Sequence, residues 1–169
     1  MHTKEAIRFT LATAEEAVMS SLNKIQDAPT AFPTANGGCH PLWVLGHLTY
    51  VEGVTQEVLT GGANPAEDWT SLFGPGTTPT ADASKYPAFD EVRARYTKLR
   101  KRTLQLLDML SEADLDNPTT KQPKGLEALF ATPSKSLLTL ALHQIGHKGQ
   151  ITDAFRSAGR VAQTAGAGV

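Results

Sequence analysis

Residues 132–159 read TPSKSLLTLALHQIGHKGQITDAFRSAG. The Thr132 hydroxyl can cap a helix, Pro133 suits a first helical position because its missing N–H is not needed there, and Gly159 is a natural stop. The stretch therefore reads as one helix from Pro133 to about Ala158. Its first half is apolar on nearly every side, which predicts the most buried helix of the chain. At about 100° per residue, His143 and His147 share a face with Leu140, Ile151 and Ala154, one imidazole about 6 Å above the other. A second apolar patch, Leu138, Leu142 and Ile145, lies on the side away from them.

Three more stretches carry the same period. From Thr3 to about Gln26, the residues Ile7, Leu11, Ala14, Val18, Leu22 and Ile25 recur at spacings of three and four. Asp27-Ala28-Pro29 and the run from Pro33 to Gly38 end that pattern. Pro41 opens a second helix that continues to Thr60 and stops at Gly61-Gly62. A third runs from about Ala88 to Leu110 with Val92, Tyr96, Leu99, Thr103, Leu106 and Leu110 within a quarter-turn of each other. Its Arg93, Arg95, Lys98, Arg100, Lys101 and Arg102 spread around the remaining arc, which predicts a solvated face. Between the second and third helices, residues 61–87 hold four Gly and four Pro without a sustained period, more chain than neighbouring helices need. Trp69, Leu72 and Phe73 read as aromatic and apolar pegs that tack this loop down. Ser111-Glu112-Ala113-Asp114 can cap a short turn. The expectation is an all-α four-helix bundle with a long connection between helices two and three, one domain over residues 1–160, and a flexible tail, residues 161–169, rich in Ala and Gly.

Composition narrows the partners. A chain of 169 residues holds one core, and 16 Lys and Arg against 17 Asp and Glu leave a net charge of -1, which gives no field for nucleic acid or anionic lipid. Cys39 is alone and cannot close an internal disulfide, the first ten residues lack the apolar core of a signal peptide, and no run approaches the roughly 18 to 20 apolar residues of a membrane span. These features point to the cytoplasm and to a small-molecule substrate.

The chemistry lies in histidine. His47 shares its arc of the second helix with Trp43, Val44, Val51, Val54 and Val58, so it points inward like the pair on the last helix. Three buried imidazoles bring up to six ring nitrogens among hydrocarbon neighbours, and one divalent cation satisfies three of them together. Neutral imidazole suits zinc, nickel, copper or iron, and the remaining coordination positions would be open to water or substrate. Gln144 stands where a His-Glu-x-x-His zinc protease has its general base and cannot take a proton, so peptide hydrolysis of that type is disfavoured. No Glu-x-x-His pair occurs on two helices, which argues for a mononuclear site instead of a di-iron one. Tyr50 and Gln150, each one turn beyond a proposed ligand, are candidates to orient the imidazoles or a bound water. No Asp or Glu falls clearly on the metal-facing arcs. His40, about 10 Å before His47 along the helix, reads as an end-of-helix residue lining the approach. Cys39 reads as a plain surface thiol. Gly46, Gly146 and Gly149 cost helix propensity that close helix approach, or else access of a ligand to the metal, would offset.

The segments from His40 to Leu48 and from His143 to Ile151, one His in the first and His-x-x-x-His in the second, resemble the DinB and YfiT-like superfamily of helical-bundle metalloenzymes. The resemblance spans most of the chain. It implies that His47, His143 and His147 ligate one divalent ion, zinc or nickel first and iron or manganese as alternatives, and that homodimers form. It also implies that some relatives are thiol-dependent transferases or isomerases, while many have no assigned reaction; with a metal-activated water as the other nucleophile, the expectation is a thiol-dependent S-transferase or a hydrolase acting on a small molecule. The rival expectation is a non-catalytic metal-binding or stress-response protein.

Overall fold

The computed structural model of the chain describes residues 2–25, 30–32, 34 and 38–157. Among these residues the fold is all-helical, without strands, and has five α-helices instead of the four expected: α1 (Thr3–Asn23), α2 (Pro41–Thr60), α3 (Thr70–Phe73), α4 (Phe89–Met109) and α5 (Pro133–Ser157). The additional α3 is a single turn inside the long connection, too short for any periodicity to reveal. The predicted stops at Asp27-Ala28-Pro29 and Gly159, and the tail 161–169, lie outside the described residues.

Local chemistry sets the boundaries. At α2, Pro41 follows an N-cap residue, and Gly61 closes the helix at φ 71°, a left-handed conformation that favours glycine. The Thr132 hydroxyl accepts the Lys135 N–H at 3.3 Å, and the N–H and hydroxyl of Ser111 both bond to the Asp114 carboxylate ahead of a 3₁₀ turn at Ala113–Asp116.

α1 packs on α5, α5 on α2, and α2 on α4. Two core clusters give the helix directions. One joins Val18 and Leu22 of α1, Leu42, Leu45 and Leu48 of α2, Val92 and Tyr96 of α4, and Ile151 and Phe155 of α5. The other joins Ile7, Leu11 and Ala14 with Leu107, Leu137, Leu140 and Ala141, and Leu59 packs against it. α1 and α5 therefore run one way and α2 and α4 the other. Because α2 and α4 are parallel neighbours, the chain between them must return the length of a 20-residue helix, about 30 Å. That requirement explains the long connection, and it carries Trp69 and Phe73, both buried, along the outside of α2.

Three expectations about faces change. α2, not α5, is the most deeply buried helix, with almost all of its first half enclosed, whereas Leu138, Leu142 and Ile145 of α5 are exposed. Arg100, expected on a solvated face, is 2% exposed and forms an ion pair of 2.7 Å with the fully buried Glu52. Arg95 lies 4.2 Å over the Trp69 ring and bonds to Asp68, so it clamps the connection onto α4.

Candidate metal centre

α2 and α5 meet where His47 faces His143 and His147. One ring nitrogen from each of the three lies within 4.8 Å of the others. Nε2 of His143 is 3.2 Å from Nε2 of His47 and 3.0 Å from Nε2 of His147. Two nitrogens bound tetrahedrally at zinc-like distances would stand about 3.3 Å apart, so the spacing fits a shared cation.

The outer nitrogens decide where the protons sit. His47 Nδ1 is 2.7 Å from the Phe73 carbonyl oxygen, and a carbonyl can only accept, so Nδ1 donates and the neutral ring leaves Nε2 bare. His147 Nδ1 likewise donates to the Gln150 amide oxygen at 2.7 Å. Two lone pairs therefore point at His143 Nε2, and a single proton on that atom could serve only one of them well. A cation would serve all three. His143 Nδ1 is buried without a partner among the described residues, consistent with a ring whose interactions are made at Nε2.

Burial keeps the rings neutral, the state a metal ligand needs. Desolvation, then the neighbouring His147 and His47, pull His143 down to about 3. Desolvation also lowers His47 against the opposing Phe73 carbonyl, with His147 lowering it further. His147 is lowered by desolvation, with Gln150 opposing.

The connection after α2 supplies the site's outer wall. The Trp43 indole stacks on the His47 ring at 4.9 Å between centroids and 7° between planes, and its N–H donates to the Leu72 carbonyl at 3.1 Å. A Cβ on Gly46 would stand 2.2 Å from the Phe73 ring. The single-turn α3 in the connection, and not one of the long helices, thus explains this glycine. Gly146 and Gly149 have nothing within 4 Å of a built Cβ, which removes close helix approach as their explanation within one chain.

The remaining candidates separate. Gln150 stands at an imidazole, whereas Tyr50 packs against the core and makes no hydrogen bond to an imidazole among the described residues. His40 does not line an approach. It is 1% exposed and caps α2, its Nδ1 accepting from Trp43 N–H at 3.1 Å and its Nε2 donating to the Thr80 carbonyl at 2.7 Å. Cys39 is half-buried, and burial pushes its thiol up. Glu52 was missed. Burial drives its carboxyl upward against the opposing Arg100 charge, and it receives hydrogen bonds from Thr103 and Gln144. The available signal was its register with Val44, Leu45 and Leu48 on the apolar side of α2.

An all-helical fold enclosing three convergent imidazoles defines a helical protein with a candidate mononuclear metal centre. The sequence profile of the DinB superfamily matches residues 10–151, and the chain belongs to that superfamily. A comparison with curated proteins gives no match. Among the described residues, no helix is long and apolar enough to cross a membrane.

Proposed function

We propose that His47, His143 and His147 hold one divalent ion, zinc or nickel first and iron or manganese as alternatives, in a four-helix bundle that acts as a metal-dependent enzyme on a small molecule. The observation that carries this reading is the convergence of three Nε2 atoms while two of the rings are tied back through Nδ1. When bound, such an ion supplies Lewis acidity that makes water or a low-molecular-weight thiol nucleophilic near neutral pH. The protein's own part is orientation. The Phe73 carbonyl and Gln150 each hold a proton on Nδ1 and so present the other nitrogen. Membership of the superfamily favours thiol transfer over hydrolysis. The alternative, a non-catalytic metal-binding or stress-response protein, is favoured by one observation: no carboxylate joins the histidine cluster among the described residues. Elemental analysis of protein purified without a histidine tag or added nickel should find one metal ion per chain. Turnover with a thiol and an electrophile then separates enzyme from binder. Protein that takes up no divalent ion sinks both.

We further propose that a second copy of this chain covers the outer face of α5. Leu138, Leu142 and Ile145 are exposed there, and Lys135 and Asp153, 18 residues apart, share the face at about 27 Å. That distance prevents pairing within one chain, but two antiparallel copies of α5 would set each Lys135 opposite the other copy's Asp153. Sedimentation should show a dimer that Leu142→Glu converts to monomer. A wild-type monomer at high concentration rejects the proposal.

A further inference from the structure

We infer that Gln144, held by the buried Glu52–Arg100 pair, is a positioning residue that fixes the rotation of α5 about its axis and thereby aims His143 and His147 at His47; the inference rests on the three-histidine reading above. Glu52 Oε1 receives Arg100 at 2.7 Å and the Gln144 amide at 3.0 Å, while Oε2 receives the Thr103 hydroxyl at 2.7 Å. Thr103 also accepts the Gln56 amide at 3.1 Å. Glu52 and Gln56 belong to α2, and Arg100 and Thr103 to α4, so the carboxylate is anchored by contacts that do not involve α5. Among the described residues, Gln144 to Glu52 is the one side-chain hydrogen bond between α5 and α2 outside the histidine cluster.

Geometry makes this bond informative. Gln144 follows His143 and projects about 100° away around the helix, so the two residues hold α5 from two directions. Helices packed through hydrocarbon ridges scatter by about 15 to 20° in their crossing angles, so apolar ridges set a helix's orientation only loosely. At about 6 Å from the helix axis, a 20° rotation carries an atom about 2 Å. A metal site tolerates about 0.2 Å. Leu137, Leu140 and Ile151 can therefore bury α5 without aiming its imidazoles, whereas a directional hydrogen bond to an anchored carboxylate can.

Stability is a poor alternative account of the network. Arg100 Nε and Nη1 and Gln144 Oε1 are buried without hydrogen-bond partners among the described residues, and Nε has only the Glu15 carboxylate at 3.8 Å. A partly satisfied buried ion pair is commonly matched or exceeded in stability by apolar residues of similar volume.

The test is a cobalt(II) titration of the full chain, following the visible absorption bands. Gln144→Met keeps volume and removes the bond. It should weaken cobalt binding about tenfold and alter the bands, while the metal-free thermal midpoint stays in place or rises. A folded Gln144→Met protein with wild-type cobalt affinity and spectrum overturns the inference. Should that variant fail to fold, the combination Glu52→Leu, Arg100→Met and Gln144→Met removes the stranded charges as well. The same weakening in the folded triple variant supports positioning, and wild-type affinity there overturns it. Wild-type protein that binds no cobalt defeats the three-histidine reading itself, an outcome visible before any variant is made.

Discussion

The two ends of the bundle are built from different materials. At one end Ile7, Leu11, Ala14, Leu107, Leu115, Leu137, Leu140 and Ala141 make a core of aliphatic carbon. At the other, Trp43, Trp69, Phe73, Tyr96 and Phe155 pack together with aliphatic residues of the same four long helices, and Trp43 stacks on one of the three imidazoles. Glu52, Arg100 and Gln144 lie between the two. The aliphatic end needs only volume and shape, so interdigitating side chains suffice. The histidine end must also place polar atoms: the Leu72 and Phe73 carbonyls of the connection accept from Trp43 and His47, and Gln150 accepts from His147. Stability and chemistry are thus divided along the bundle, and each can be perturbed without the other.

The largest separation should come from paired substitutions. His47→Ala is expected to abolish stoichiometric metal uptake while leaving the metal-free protein folded, as read by calorimetric titration and circular dichroism. Leu137→Ala should cost about 2 to 5 kcal/mol in urea unfolding yet preserve metal uptake. If Leu137→Ala removed metal binding in protein that is still folded, the division would be wrong.

Two glycines give a smaller contrast. Gly46→Ala pushes a methyl group into the Phe73 ring and should cost about 1 to 3 kcal/mol by overpacking. It should weaken metal binding too, because the Phe73 carbonyl moves with its ring. Gly146→Ala meets nothing within the chain and, in monomeric protein, should stabilise the helix by up to about 1 kcal/mol. Equal thermal midpoints for the two variants would contradict the packing described.

The smallest effect is in pH. Histidine in the unfolded chain takes up its proton near 6.5, whereas folded His143 waits until about 3. Between those values the unfolded state binds more protons, so stability of the metal-free protein is full above about 6.5 and declines as the pH falls toward 3. His47 and His147, lowered in the same sense, steepen the decline. Urea midpoints from pH 7.5 to 5 should fall, and His143→Leu should flatten that slope.

Much of this arrangement was legible beforehand because it depends on local spacing. Pro41 and Gly61 bound α2 as read, Pro133 begins α5, and the interval of four between His143 and His147 places them on one face by helix geometry alone. What remained hidden depends on contacts far apart in sequence. Arg100 sits in a run of six cations within ten residues, and nothing local distinguishes the one that meets Glu52 across the α2–α4 interface. The parallel course of those helices is likewise a tertiary fact, and with it the Phe73 carbonyl beside His47. His40 was misread because a cap and a lining residue look alike without the backbone around them.

That carbonyl has an unusual status for a mutagenesis programme. A main-chain oxygen survives any exchange of the residue that bears it, so replacing Phe73 changes the wall beside His47 but not the atom that accepts its proton. What would misplace the acceptor is an insertion or deletion between Gly61 and Phe73, which shifts the strap along α2 one residue at a time. At this site, loop length is the parameter to vary where a side chain would ordinarily be chosen.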